Sequence, residues 1–331
     1  TLAAGQSTFL IPSTSTQWYC GIVGATSADI AFLTGSVAGT AAASKVLVLS
    51  GTKTIGDITQ MNILGAGNVA TNQAVGLTAL DANTTGARNT AVGVGALSGN
   101  TTGVDNTAVG KDALLSATTA TGNTAIGSLA ADAITSGGDN TAAGFGALGT
   151  ETTGTNNTAV GKGALTTQNG ATGNTAVGKT AGDAITTGIN NTLVGLDAGG
   201  ALTTGASNTA VGANALLTET TSVNNTAVGI GALQVQIAGT GGNTAVGAFA
   251  GDALTTGATN TLVGLNAGGA LTTGADNVAV GASALLTETT SVNNTAVGKG
   301  ALQLQVAGTG GNTAVGAAAG DALTTGADNT L

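Results

Sequence analysis

From residue 72 onward, apolar and polar positions recur with a period of 17, not with the 2 of a long strand or the 3.6 of a helix. The five residues Asn-Thr-Ala-Val-Gly, or a close variant, begin at Asn72, Asn89, Asn106 and Asn123, and then at regular steps to Asn329. Two steps are 18 residues, from Asn225 to Asn243 and from Asn294 to Asn312. A fixed period in this range marks a stacked-repeat architecture. Counting each Asn as position one, position five is Gly in all fifteen complete copies (Gly76 to Gly316), and position eight is Ala in all fifteen (Ala79 to Ala319). Positions two to four predict a short β-strand. The Thr-Thr-Gly near positions thirteen to fifteen predicts a corner, and Asn at position one suits a turn because it tolerates left-handed dihedrals. Each repeat therefore reads as one coil of an all-β parallel solenoid, or β-roll, over 72–331. Stacking turns each position into a ladder: Asn89, Asn106 and Asn123 along one row, Gly93, Gly110 and Gly127 along another, and Ala96 and Ala113 along a third.

The bulky aliphatic positions carry more. Where position nine is Leu, position twelve is polar or small: Leu97 with Asn100, Leu148 with Glu151, Leu216 with Glu219. Where position nine is Gly or Ala, position twelve is Ile or Leu: Ala131 with Ile134, Gly182 with Ile185, Gly199 with Leu202, Gly251 with Leu254, Gly320 with Leu323. The 18-residue coils pair Leu233 with Ile237 and Leu302 with Val306. Such volume conservation is what a packed interior demands. Positions three and four are both apolar, although neighbouring strand residues point to opposite faces. The simplest expectation is that position four fills the coil and position three faces another chain. Leu193 and Leu262 are then candidate inter-chain residues of a homotrimer. Residues 191–259 and 260–328 are near copies, so length has grown by duplicating a four-coil block.

Residues 1–71 escape the repeat. They hold Trp18, Tyr19, Cys20, Pro12, Phe9 and Phe32, with apolar runs such as Val46-Leu47-Val48-Leu49, and predict a small β-rich attachment module. The chain stops three residues into a repeat at Leu331, so a longer natural protein is expected. With seven Lys and Arg and a net charge of −9, it has no basic patch to neutralise phosphates, and nucleic-acid binding is not expected. No long apolar run predicts membrane insertion. A chain with no His and one Cys has no Ser-His-Asp or Cys-His arrangement and no cysteine metal cluster. No catalytic, cofactor-binding or metal site is expected, and hence no enzyme. Stacking could align Asp252 or Glu219 with neighbouring carboxylates, the one route to a glycosidase-like pair. Rows of corner Thr (Thr84-Thr85, Thr101-Thr102, Thr186-Thr187, Thr203-Thr204) could order water as an ice-binding solenoid does, or bind glycans, although Thr is also simply a good β and turn residue.

Thr-Ala-Val-Gly resembles the Ser-Val-Ala-Ile-Gly of trimeric autotransporter adhesin heads, which implies a trimeric parallel β-roll. The tandem Asn-Thr-Ala-Val-Gly-x-x-Ala-Leu…Thr-Thr-Gly repeats more closely resemble tailed-bacteriophage tail fibres. So do Gly39 to Leu49, with Lys45-Val46-Leu47-Val48-Leu49, and Lys53-Thr54-Ile55-Gly56-Asp57-Ile58. That resemblance implies a homotrimeric virion fibre shaft in host attachment. It would join other tail proteins through 1–71, with a receptor or glycan bound by a tip outside this chain. The alternative is a bacterial cell-surface adhesin or extracellular filament.

Overall fold

The structure, a computed structural model, describes residues 69, 71–236, 241–305 and 310–331. The expected N-terminal module lies outside these apart from residues 69 and 71, as do the partners Ile237 and Val306. The chain divides into Thr1–Met61 and Asn62–Leu331, and the second unit carries all that follows.

Fifteen three-residue strands run from β1 (Gln73–Val75) and β2 (Thr90–Val92) to β15 (Thr313–Val315). They form one sheet in strict chain order, every neighbour parallel. Register is by repeat position: Ala91 lies opposite Ala108, and Val92 opposite Val109. Even across an 18-residue coil the pairing holds, with Ala227 opposite Ala245. The expected all-β parallel solenoid is thus the fold, and no helix occurs among the described residues. Fourteen steps at ordinary strand spacing make the stack about 67 Å long.

Unusual backbone makes so tight a coil possible. Position five takes a φ near +140°, for example 138° at Gly93 and 144° at Gly178. A Cβ on Gly178 would sit 2.2 Å from the carbonyl oxygen of Gly195 in the next coil. Only glycine lets successive coils close to strand distance there. Positions seven, nine and seventeen are left-handed, as at Asp112 (φ 56°), Leu97 (φ 51°) and Asp105 (φ 61°). Asp and Asn recur at seven and seventeen because their short polar side chains tolerate this region. Position nine is Leu, Ala or Gly in every coil and never β-branched, in keeping with the cost of β-branching in left-handed backbone.

The interior is a thin seam of Ala at positions three and eight, flanked by the aliphatics of nine and twelve. Leu97, Leu148, Ile134, Ile185, Leu202 and Leu254 are all fully buried, so the exchange of volume between positions nine and twelve takes place inside the coil.

One expectation is overturned. Position three points inward: Ala91, Ala108, Leu193 and Leu262 are fully buried within a single chain. Position four points out, with Val92 38% exposed. Leu193 and Leu262 are therefore core residues, not contacts to a second chain. The reason lies in the glycines around them. A Cβ on Gly182 would lie 2.6 Å from Leu193 Cδ1, and one on Gly199 would lie 2.8 Å from Leu193 Cδ2. Leu262 stands in the same relation to Gly251 and Gly268, at 2.6 and 2.8 Å. Where two consecutive coils give up Leu at position nine, a Leu at position three of the second coil fills the space.

Candidate interaction surface

Whatever this solenoid does must use what its rows leave unspent. The Asn row is consumed internally. Asn106 donates its backbone N–H to Asn89 Oδ1 at 3.0 Å, and its Nδ2 donates to the same oxygen at 3.2 Å and to the corner carbonyl of Ala120 at 2.7 Å. Asn123 repeats this against Asn106 (3.0 and 3.2 Å) and Gly137 (2.9 Å). Asn89 bonds Asn72 Oδ1 and the Gly103 carbonyl likewise. The row binds coil to coil and strand to corner, and it is buried from Asn72 to Asn312. Gly93, Gly110 and Gly127 meet the next coil's backbone, and Ala96 and Ala113 are buried.

The acidic residues divide by depth. Glu151, Glu219 and Glu288, at position twelve, are fully buried. Glu151 Oε1 accepts backbone N–H groups from Thr152 (2.9 Å), Thr153 (3.0 Å), Gly154 (2.5 Å) and Gly170 (2.8 Å). A carboxylate so enclosed caps the Thr-Thr-Gly corner from inside and does not face substrate. Glu219 takes three such bonds and so caps its corner in the same way. This role was not anticipated from the sequence. Its signal was the recurrence of Glu two residues before a Thr-Gly or Thr-Ser pair.

At position ten, Asp132, Asp183 and Asp252 are half-buried. Desolvation pushes each carboxyl above its ordinary value, helped for Asp132 by Asp112 and for Asp183 by Asp197. At the surface, Arg88 grips Asp105 with two bonds of 2.6 and 2.7 Å, and that hydrogen-bonded pairing holds the Asp105 carboxyl below its usual range. Among the described residues no cluster of three or more potential ligands could hold a metal, and no helix is long and apolar enough to cross a membrane.

The Thr corners also divide. At position thirteen the hydroxyl donates to the carbonyl of the same position one coil on: Thr84 to Thr101 (2.9 Å), Thr101 to Thr118 (3.0 Å), Thr203 to Thr220 (2.9 Å). Those hydroxyls are spent on coil stacking. Position fourteen, with Thr85, Thr102, Thr187 and Thr204, stays exposed as a single file.

The largest unspent surface is apolar. Position four presents Val or Ile along the sheet in every strand but one, where it is Ala143. Position six, across the glycine, adds Val94, Phe145 (54% exposed), Leu196, Ile230 (50%) and Leu265 (53%). Lys111, Lys162, Lys179 and Lys299 also occupy position six, and Lys162 Nζ lies 5.9 Å above the Phe145 ring of the preceding coil. The result is a straight apolar stripe, dotted with cations, on an acidic chain. Contiguous exposed apolar surface of this kind marks an interaction site. Compared with family models, curated proteins and solved structures, the chain matches none.

Proposed function

We propose that this chain is the shaft of a homotrimeric fibre, a phage tail fibre that holds a receptor-binding end away from its particle. The observation that carries this reading is the in-register ladder of fifteen strands, whose buried Asn row is spent on stacking and whose largest unspent surface is the stripe at positions four and six. A ladder of that kind resists bending and extension through main-chain bonds alone. The stripe supplies the surface through which copies associate, in place of the buried Leu193 and Leu262. Its rows share the strand spacing of the sheet, so a second copy in register sets position four against position four along the length.

Light scattering of the full chain should give three protomers. Phe145→Lys, Ile230→Lys and Leu265→Lys combined should give monomers with unchanged circular dichroism. A wild-type chain that is monomeric at micromolar concentration overturns the assembly. Immunogold labelling then decides the setting: label on phage tails supports the fibre, and label on bacterial envelopes transfers the shaft to a cell-surface adhesin.

A further inference from the structure

We propose that Asn169 is a gated modification site, an Asn-Gly pair whose closure into a succinimide is blocked by the buried carboxylate of Glu151. Asn169-Gly170 is the one place in the chain where Gly follows Asn; every other Asn precedes a residue with a side chain, most often Thr. The pair sits exposed at positions thirteen and fourteen, where the coils on either side carry Thr152-Thr153 and Thr186-Thr187. Gly170 takes a φ of 75°, so the left-handed turn of this corner is what calls for glycine. Crowding does not protect the pair. A Cβ on Gly170 would meet only Thr153 Oγ1, at 3.6 Å.

The chemistry needs nothing but water. The Gly170 backbone nitrogen bonds to Asn169 Cγ as its proton is lost. The Cγ–Nδ2 bond then breaks, and ammonia leaves with that proton. Water opens the resulting five-membered imide at either carbonyl. One product is aspartate; the other is isoaspartate, whose main chain runs through the former side chain and is longer by one methylene. No electrons are transferred.

Glu151 stands in the path of the first step. The imide nitrogen is planar, so Cγ must take the place that the amide hydrogen holds on it. In the folded coil that hydrogen points at Glu151 Oε1, with the nitrogen 2.8 Å from the oxygen. Oε1 also accepts from Thr152, Thr153 and Gly154, and Oε2 accepts from Gln168 at 3.0 Å. With four donors on it, Oε1 has no lone pair left to take the proton, so the contact restrains Gly170 and does not activate it. The electrophile is held as well. Asn169 Oδ1 accepts the Thr152 hydroxyl at 2.6 Å, and the Asn169 N–H donates to the Thr186 carbonyl at 3.0 Å. Closure therefore waits for the corner to open locally. A corner lengthened by one methylene no longer fits between Thr152 and Thr186, so isoaspartate records each opening permanently.

The full chain is incubated at mildly alkaline pH and digested with trypsin, which releases 163–179 between Lys162 and Lys179. Mass spectrometry with electron-transfer fragmentation then follows Asn169 in the folded chain and in the same peptide incubated free. Conversion in the folded chain should be at least about tenfold slower, the factor that one hydrogen bond to a charged group supplies. Glu151→Ala should bring it close to the peptide rate, with circular dichroism retained, because Ala117 beside Leu114 is already the same pairing of positions twelve and nine. Thr152→Val, which frees only the Asn169 side chain, should give a smaller gain and carries the test if Glu151→Ala does not fold. Leu262→Ala, which weakens the stack several coils away, should leave the Asn169 rate unchanged. A folded chain that converts as fast as the peptide overturns the gate. So does a folded Glu151→Ala variant with no gain, or an equal gain from Leu262→Ala, which would assign protection to global stability.

Discussion

At the scale of single residues, this fold is a problem in moving one aliphatic side chain around a cross-section lined with alanine. Leu262 shows how tightly the solution is specified. Its methyl carbons occupy the space beside Gly251 and Gly268, so truncating it empties a region that neither glycine can refill. Leu262→Ala should therefore cost toward the upper part of the usual Leu→Ala range, about 3–5 kcal/mol, with the oligomeric state of the folded protein unchanged. A double-mutant cycle sharpens this. Gly251→Ala alone places a Cβ 2.6 Å from Leu262 Cδ1 and should destabilise. With Leu262→Ala in place, the same change should stabilise, because Ala131 and Ala142 already form that combination, both buried, three repeats nearer the N-terminus than Gly182. Urea unfolding of the four proteins gives the coupling, and additivity would show that the two side chains do not share one space.

At the scale of the coil, the strand and its corners were legible in the sequence because glycine and asparagine carry backbone information as well as chemistry. Gly at position five, Asn at position one and the Leu exchange between nine and twelve each announced a geometric requirement that the structure meets. The facing of the strand was not legible. Ala and Val are both apolar, and alternation says only that they differ in face, not which is inside. Leu193 and Leu262 could have settled it, since each follows a coil with Gly at position nine, but reading that needs the stacked neighbour as well as the coil itself. The inner row of Glu was hidden for a similar reason, since its partners are backbone N–H groups that no residue letter records. Two glycines test the backbone argument. Gly178 (φ +144°) and Gly146 (φ +62°) both have positive φ, but a Cβ at Gly178 meets the next coil's carbonyl at 2.2 Å while one at Gly146 meets nothing within 4 Å. Gly146→Ala should cost only the left-handed penalty, about 1–2 kcal/mol. Gly178→Ala should cost clearly more, because it also forces two coils apart, and thermal melts should separate the two. Equal losses would mean that close approach at position five is not what requires glycine.

At the scale of the whole solenoid, each coil touches only its neighbours, so stability should accumulate coil by coil and length should be adjustable without refolding anything. The duplicated block offers a clean test. Removing residues 191–259 joins Asn190 to Asn260, and Asn260-Thr261-Leu262-Val263 replaces Asn191-Thr192-Leu193-Val194. Leu262 then falls beside Gly182 and Gly268, the same pair of glycine contacts that Leu193 makes with Gly182 and Gly199. The block also carries away one complete 18-residue coil, the one that starts at Asn225, and leaves the one that starts at Asn294 intact. The shortened protein should keep its circular dichroism per residue and assemble as the parent does, with a stack shorter by four coils, about 19 Å, in electron micrographs. A deletion of 195–259, four residues out of phase, would set Asn260 where Gly195 stood and bring side chains against the carbonyl ladder, and should aggregate. If both deletions fold equally well, the in-register ladder is not what holds the shaft together; if neither folds, the block is not the modular unit that its duplication implies.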